Sequence, residues 1–242
     1  MTEQTFAPVR RHGPIVQIAE HLWQVEGTYP VAFGMTITRN MTIVRQQTEL
    51  TLINTVRLDP PTLAQLQDLG RVRHVVKLGH FHGEDDPFYV RTFSAQLWAQ
   101  AGAKTAAGLA IDHVIDQQGA VPFSQGDPSW FVFRNAKLPE AALFLGESKA
   151  LITCDSVQNW LPGLPGCSWF ARFMMPKMGF STGPLIGPFW RKYMKIEGRP
   201  LRDDFLRLCE LPIEKVLVAH GSPIERTGCE AIRQATQTAF PT

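Results

Sequence analysis

Cysteine is scarce in this 242-residue chain: Cys154, Cys167, Cys209 and Cys229 are the only four. None forms a CxxC pair, and their spacings match no zinc-knuckle pattern, so reduced thiols of a cytosolic protein are expected. An excess of either charge is also missing. The 24 Lys+Arg against 22 Asp+Glu leave a formal +2, which gives no electrostatic footprint for nucleic acid. No membrane span is present: the longest charge-free apolar stretch, 156–171, is broken by Pro162, Gly163, Pro165 and Gly166. The opening residues, MTEQTFAPVRRHGP, lack the apolar centre of a secretory signal, so a cytoplasmic location is the expectation. Repeats and low-complexity tracts are absent too. What the chain does have is apolar material, 44% of residues, enough for the core of one α/β domain of ordinary size.

The first 20 residues are polar and read as an arm, with a single domain over 21–242. Short strand-like runs follow at His21–Glu26, Met35–Arg39, Met41–Arg45 and Glu49–Val56, with Arg39-Asn40 as a tight turn between two of them. Brief connections imply antiparallel pairing. Asp59 as cap, Pro60 and Pro61 in the first turn and Gly70 as terminator frame a helix. His74–Leu78 reads as a buried strand. A second helix is expected from Asp86 as cap and Pro87 to about Gln100. Later strands are expected at 113–115, 130–134, 141–145, 150–153 and 215–219, with helices near 202–210 and from about Ile224. Strands and helices in two halves, each ending in helix, fit a layered α/β domain with mixed sheets.

Three stretches carry chemistry, each at a strand end. His80-Phe81-His82-Gly83-Glu84-Asp85 offers two imidazoles two residues apart, which on extended backbone point the same way, with carboxylates close behind. The strand Leu151-Ile152-Thr153-Cys154 delivers Asp155, and Val216-Leu217-Val218-Ala219 delivers His220. Each has a plainer reading: a turn or backbone contact for the histidines, and a cap for Asp155 or the acids. Asp86 is assigned to the helix start and left out of the site.

The ordered set HxHx(acid)(acid), LITCD and LVAHG resembles the metallo-β-lactamase superfamily. The resemblance implies a four-layer αββα sandwich with two mixed β-sheets. It also implies metal ligation by His80, His82, Asp155 and His220. Two positions depart from the family pattern, whose Asp falls on Glu84 and whose next His falls on Asp85. The family's middle histidine is missing, and Lys137 sits in the stretch where it belongs. One zinc ion is the expected cofactor, with iron as the alternative for a two-His, one-carboxylate set. The implied activity is metal-dependent hydrolysis of an ester, lactone, amide or phosphoester, with Asp85 or Glu84 as base. A metal-free protein of the same fold that binds a small molecule or a partner is the competing reading, in which Lys137 pairs with Asp155 or Glu84 in place of a cation. A mononuclear iron oxygenase is the third.

The insert at 156–196 holds Trp160, Trp169 and Trp190 with four methionines, and five basic residues without an acid. It reads as a lid over the site, with Trp160 and Trp169 beside an apolar substrate and Lys137 on an anionic one. A homodimer surface or peripheral contact with an anionic membrane are its sharper readings.

Overall fold

The computed structural model of the chain describes residues 6–32 and 34–241. Its strands are β1 (Val16–Ala19), β2 (Leu22–Ala32), β3 (Met35–Gln46), β4 (Glu49–Ile53), β5 (Arg71–Lys77), β6 (Gln96–Gln100), β7 (His113–Ile115), β8 (Pro128–Val132), β9 (Ala141–Leu145), β10 (Ala150–Ile152), β11 (Val157–Trp160), β12 (Gly183–Ile186) and β13 (Lys215–Leu217). The helices are α1 (Pro60–Leu69), α2 (Asp86–Phe93), α3 (Trp169–Met174), α4 (Pro188–Met194), α5 (Leu201–Leu208) and α6 (Gly228–Ala239).

A seven-stranded sheet runs in the order β1 to β7, antiparallel as far as β4 and parallel from β4 to β7. A four-stranded sheet runs β13-β10-β9-β8, with β13 parallel to β10 and the other pairs antiparallel. Period-2 alternation sorts the apolar side chains of both sheets into layers. Val44, Ile53, Val76 and Trp98 of the first sheet meet Trp130, Leu143, Ile152 and Leu217 of the second in one inter-sheet cluster. Their chain neighbours Ile43, Leu52, Val75 and Leu97 turn the other way, onto Leu66 of α1 and Phe88 and Tyr89 of α2. On the far side Phe131, Leu151 and Val216 pack with Trp190, Phe205 and Ile232 of α4, α5 and α6. Helix, sheet, sheet and helix are thus stacked in four layers, as expected.

Several local expectations hold for the stated reasons. Asp59 accepts the Thr62 amide at 2.9 Å, and α1 stops at Gly70. Others do not. Arg39 and Asn40 are no turn; they lie in the middle of the long strand β3, both buried. The second helix ends at Phe93, where Ser94 takes a left-handed φ of 51°, and Leu97 and Trp98 belong to β6. Asp85 rather than Asp86 occupies the cap position; Asp86 is buried and accepts the Thr55 hydroxyl at 2.6 Å. The expected arm contributes β1 to the first sheet. The insert forms the ribbon β11–β12 with α3 and α4, around its own cluster of Trp160, Leu164, Ala171 and Met175.

Candidate metal centre

Parallel pairing of β4 with β5, and of β10 with β13, sends the loops after β5, β10 and β13 to one edge of the sandwich. These loops carry His82, Asp155 and His220. The two imidazole Nε2 atoms are 3.1 Å apart. Asp155 Oδ1 is 3.1 Å from His220 Nε2, and Asp155 Oδ2 is 3.6 Å from His82 Nε2. The three side chains are nearly closed off, with exposures of 8%, 12% and 8% for His82, Asp155 and His220.

β3 fixes the orientation of His220. Its Nδ1–H donates to the Thr38 carbonyl at 2.8 Å. A carbonyl can only accept, so in the neutral ring Nε2 is left with a lone pair aimed at the cluster. Asn40, next to the misread Arg39, ties the loop down by donating from Nδ2 to the carbonyls of Val218 and Gly221. The indole of Trp160 stacks on the His220 ring at 6.0 Å and 20°. Burial lowers the proton affinity of His82, against the attraction of Asp155. Burial also works to raise the Asp155 carboxyl, but the facing imidazoles overcome it and hold that group well below the usual carboxylate range. The site therefore brings one carboxylate and two imidazole Nε2 atoms together, each nitrogen able to offer a lone pair or an N–H.

Cys154 joins them. Its thiol lies 3.5 Å from Asp155 Oδ2, and ligand atoms of His82, Cys154 and Asp155 all fall within 4.8 Å of one another. Burial pushes this thiol up. Its spacing from the other cysteines matches no zinc pattern, which is why the sequence alone predicts a plain reduced thiol there.

The remaining candidates stand elsewhere. The backbone after β5 is not extended: it turns at His80 and Phe81. The buried ammonium of Lys77 gathers the carbonyls of Gly79, His80 and His82 and curls the loop around itself. The HxH alternation is broken there. His80 makes no hydrogen bond to the cluster, and its Nδ1 is buried without a partner. Glu84 accepts two hydrogen bonds from Arg10 at 3.0 Å. Asp85, buried, is ion-paired with Arg39 and accepts the Arg57 amide at 2.9 Å. The two guanidiniums flank the Tyr29 ring at 5.0 and 4.9 Å. Lys137 is exposed and forms no ion pair with Asp155 or Glu84 among the described residues; its amide donates to the Met194 carbonyl at 2.9 Å. Trp169 is 78% exposed on α3.

Glu140 was also missed. It is fully buried just before β9; Oε1 accepts the Ser156 amide at 3.1 Å and Oε2 has no partner among the described residues. Burial, and then the nearby Asp155 charge, raise its carboxyl well above the usual range.

No family sequence model matches the chain, and comparison with curated protein sequences finds no match. Solved structures do match. A metallo-β-lactamase from Hirschia baltica superposes with a TM-score of 0.61 at 15% identity, over 95% of this chain and 100% of that one. One from Pontibacter korlensis gives 0.61 at 14%, over 93% and 98%. FIM-1 from Pseudomonas aeruginosa, in a mono-zinc form, gives 0.59 at 15%, over 94% and 96%. With its four layers and near-complete coverage in both directions, the chain has the metallo-β-lactamase fold.

Proposed function

We propose that the chain is a metal-dependent hydrolase with one metal ion, held by His82, Asp155 and His220, with Cys154 as a fourth donor. One observation carries this reading: the Thr38 carbonyl fixes the His220 tautomer, so that Nε2 meets Asp155 Oδ1 and His82 Nε2, each at 3.1 Å. A cation between these three atoms would satisfy all of them at once, where an Nε2–H on one ring is the alternative. Ligands of a tetrahedral zinc ion, at about 2.0–2.1 Å from the metal, are about 3.3 Å from one another, which suits these separations. The carbonyl behind His220 is the kind of outer partner that orients metal-bound imidazoles.

Charge supports a single ion. Glu84 and Asp85 are paired with arginines, and burial pushes the Glu140 carboxyl well above its usual range, which favours its neutral form. Asp155 is the carboxylate left to offset a divalent ion, with the Cys154 sulfur, bound as thiolate, as the further anionic donor. An ion here supplies Lewis acidity to a carbonyl or phosphoryl oxygen and acidifies water. The chain's own residues hold it, keep bulk water out and, through Trp160, keep the His220 ring in place. An ester, lactone, amide or phosphoester with apolar character fits the aromatic surroundings, with Lys137 and Trp169 as outlying substrate contacts.

The metal-free reading has one observation in its favour: the facing imidazoles hold the Asp155 carboxyl down, as N–H donors would. Elemental analysis of protein purified without a chelating tag separates the two. About one equivalent of zinc or iron, lost in His82→Ala/His220→Ala, is expected, and the element found chooses between hydrolase and iron oxygenase. Absence of metal after incubation with zinc, and with iron under reducing conditions, would overturn the proposal in favour of a binding protein.

A further inference from the structure

We propose that the aromatic and basic face of the insert docks the protein on a bilayer surface rich in anionic phospholipid, beside the mouth of the candidate site. Trp169 and Phe173 are i, i+4 neighbours on α3, and Phe189 and Tyr193 repeat that spacing on α4. Residues so spaced share one side of a helix. All four are exposed, at 78%, 55%, 42% and 54%. Aromatic side chains that stay in water on two successive short helices mark a surface built for an apolar or interfacial environment.

Charge on this face is mostly positive, with Glu197 as an acid in the groove beside Phe189, Lys192 and Lys195. From 156 to 196 the chain has no acidic residue. Arg172, Lys177, Lys192 and Lys195 are exposed there, and none joins an ion pair among the described residues. Lysine lies against aromatic in both halves: Lys177 over Phe173 at 3.6 Å, and Lys192 at 6.0 Å from Tyr193. Apolar rings beside ammonium groups suit the boundary between acyl chains and anionic headgroups. A second copy of the chain fits poorly. A two-fold interface would set the same cations against each other.

Aromatic contacts connect this face to the site. Trp160, stacked on His220, meets Phe180 at 6.3 Å, and Phe180 meets Phe189 at 5.5 Å. Phe81, in the loop that carries His82, meets Tyr193 at 6.0 Å. Docking would therefore bring a lipid headgroup or a membrane-dissolved ester close to His82, Asp155 and His220. The docking itself does not depend on a metal being bound.

The test is sedimentation of the full chain with vesicles of phosphatidylcholine alone or mixed with phosphatidylglycerol, each with and without a chelator. Binding to the mixed vesicles, weakened by salt and unchanged by chelator, is expected. Lys177→Ala/Lys192→Ala should weaken it about 30-fold, about fivefold per lysine. Trp169→Ser/Phe173→Ser should weaken it at least as much, with an unchanged circular dichroism spectrum. Brominated lipid should quench wild-type fluorescence more than that of Trp169→Phe, which still binds. No sedimentation with mixed vesicles at low salt, equal binding to both vesicle types, or wild-type binding by both double variants would overturn the proposal. So would a solution dimer that Trp169→Ser/Phe173→Ser dissociates. Because the chelator arm is independent, loss of the metal reading would leave the vesicle result standing.

Discussion

Replacing Arg39 by Met tests whether the buried carboxylate of Asp85 depends on a fixed cation. Asp85 has no exposed side-chain surface, and Arg39 keeps only 5%. Without the guanidinium, Asp85 retains one hydrogen bond, from the Arg57 amide, and its Oδ1 already has no partner. Methionine keeps an unbranched apolar stem, so the loss is chiefly that of the guanidinium, which pairs with Asp85 and lies over the Tyr29 ring at 4.9 Å. Breaking a buried pair on one side costs about 3–5 kcal/mol, because the remaining charge is stranded. Removing both charges is much cheaper, and Arg39→Met/Asp85→Leu should recover all but about 1–2 kcal/mol, the residue reflecting the lost Arg57 contact. The pH dependence has a definite sign. Burial already raises the Asp85 carboxyl against the pull of Arg39, and the variant raises it further. A native pKa above the unfolded one means stability falls as pH rises through that interval. The deficit of Arg39→Met should therefore be largest at neutral pH and shrink on acidification towards about pH 4. Urea denaturation of wild type, both single variants and the double, at several pH values, measures the coupling directly. An Arg39→Met cost below about 1 kcal/mol, or a double variant no more stable than the single, would refute the reasoning.

Two other substitutions have expected outcomes. His74 accepts the Trp98 indole N–H at 3.0 Å, and burial lowers its pKa from 6.5 to about 4. Its contribution to stability is complete above pH 6.5 and is lost as pH falls towards about 4; being only half-buried, it should contribute about 1–3 kcal/mol. Relative to wild type, His74→Gln should flatten the urea midpoint across that interval, and parallel pH profiles would contradict the assignment. Gly221 follows His220 with φ of 84°, and an added Cβ would fall on the Asn159 carbonyl oxygen. Gly221→Ala should cost about 2–4 kcal/mol from left-handed strain and the displaced backbone; it should also lower metal content, whereas full occupancy at wild-type stability would show that the loop tolerates the shift.

What the sequence disclosed depended on how local its causes were. The cap at Asp59 and the runs that deliver Asp155 and His220 are set within a few residues, and they stand where expected. Arg39-Asn40 reads as a turn because a charge and an amide seldom sit in mid-strand. They do so here because Arg39 finds Asp85, 46 residues away, and Asn40 finds the loop near 218–221. Leu97 and Trp98 match a helical spacing begun at Phe88, and only parallel pairing with β5 makes them strand. His80 follows the same logic. Spacing alone pairs it with His82, but the Lys77 ammonium wins three carbonyls of that loop and turns the backbone. A buried ammonium left unsatisfied costs several kcal/mol, far more than the preference of two residues for extended backbone. The lysine therefore sets the loop's path, and the path decides that His82, rather than the HxH pair, faces Asp155 and His220.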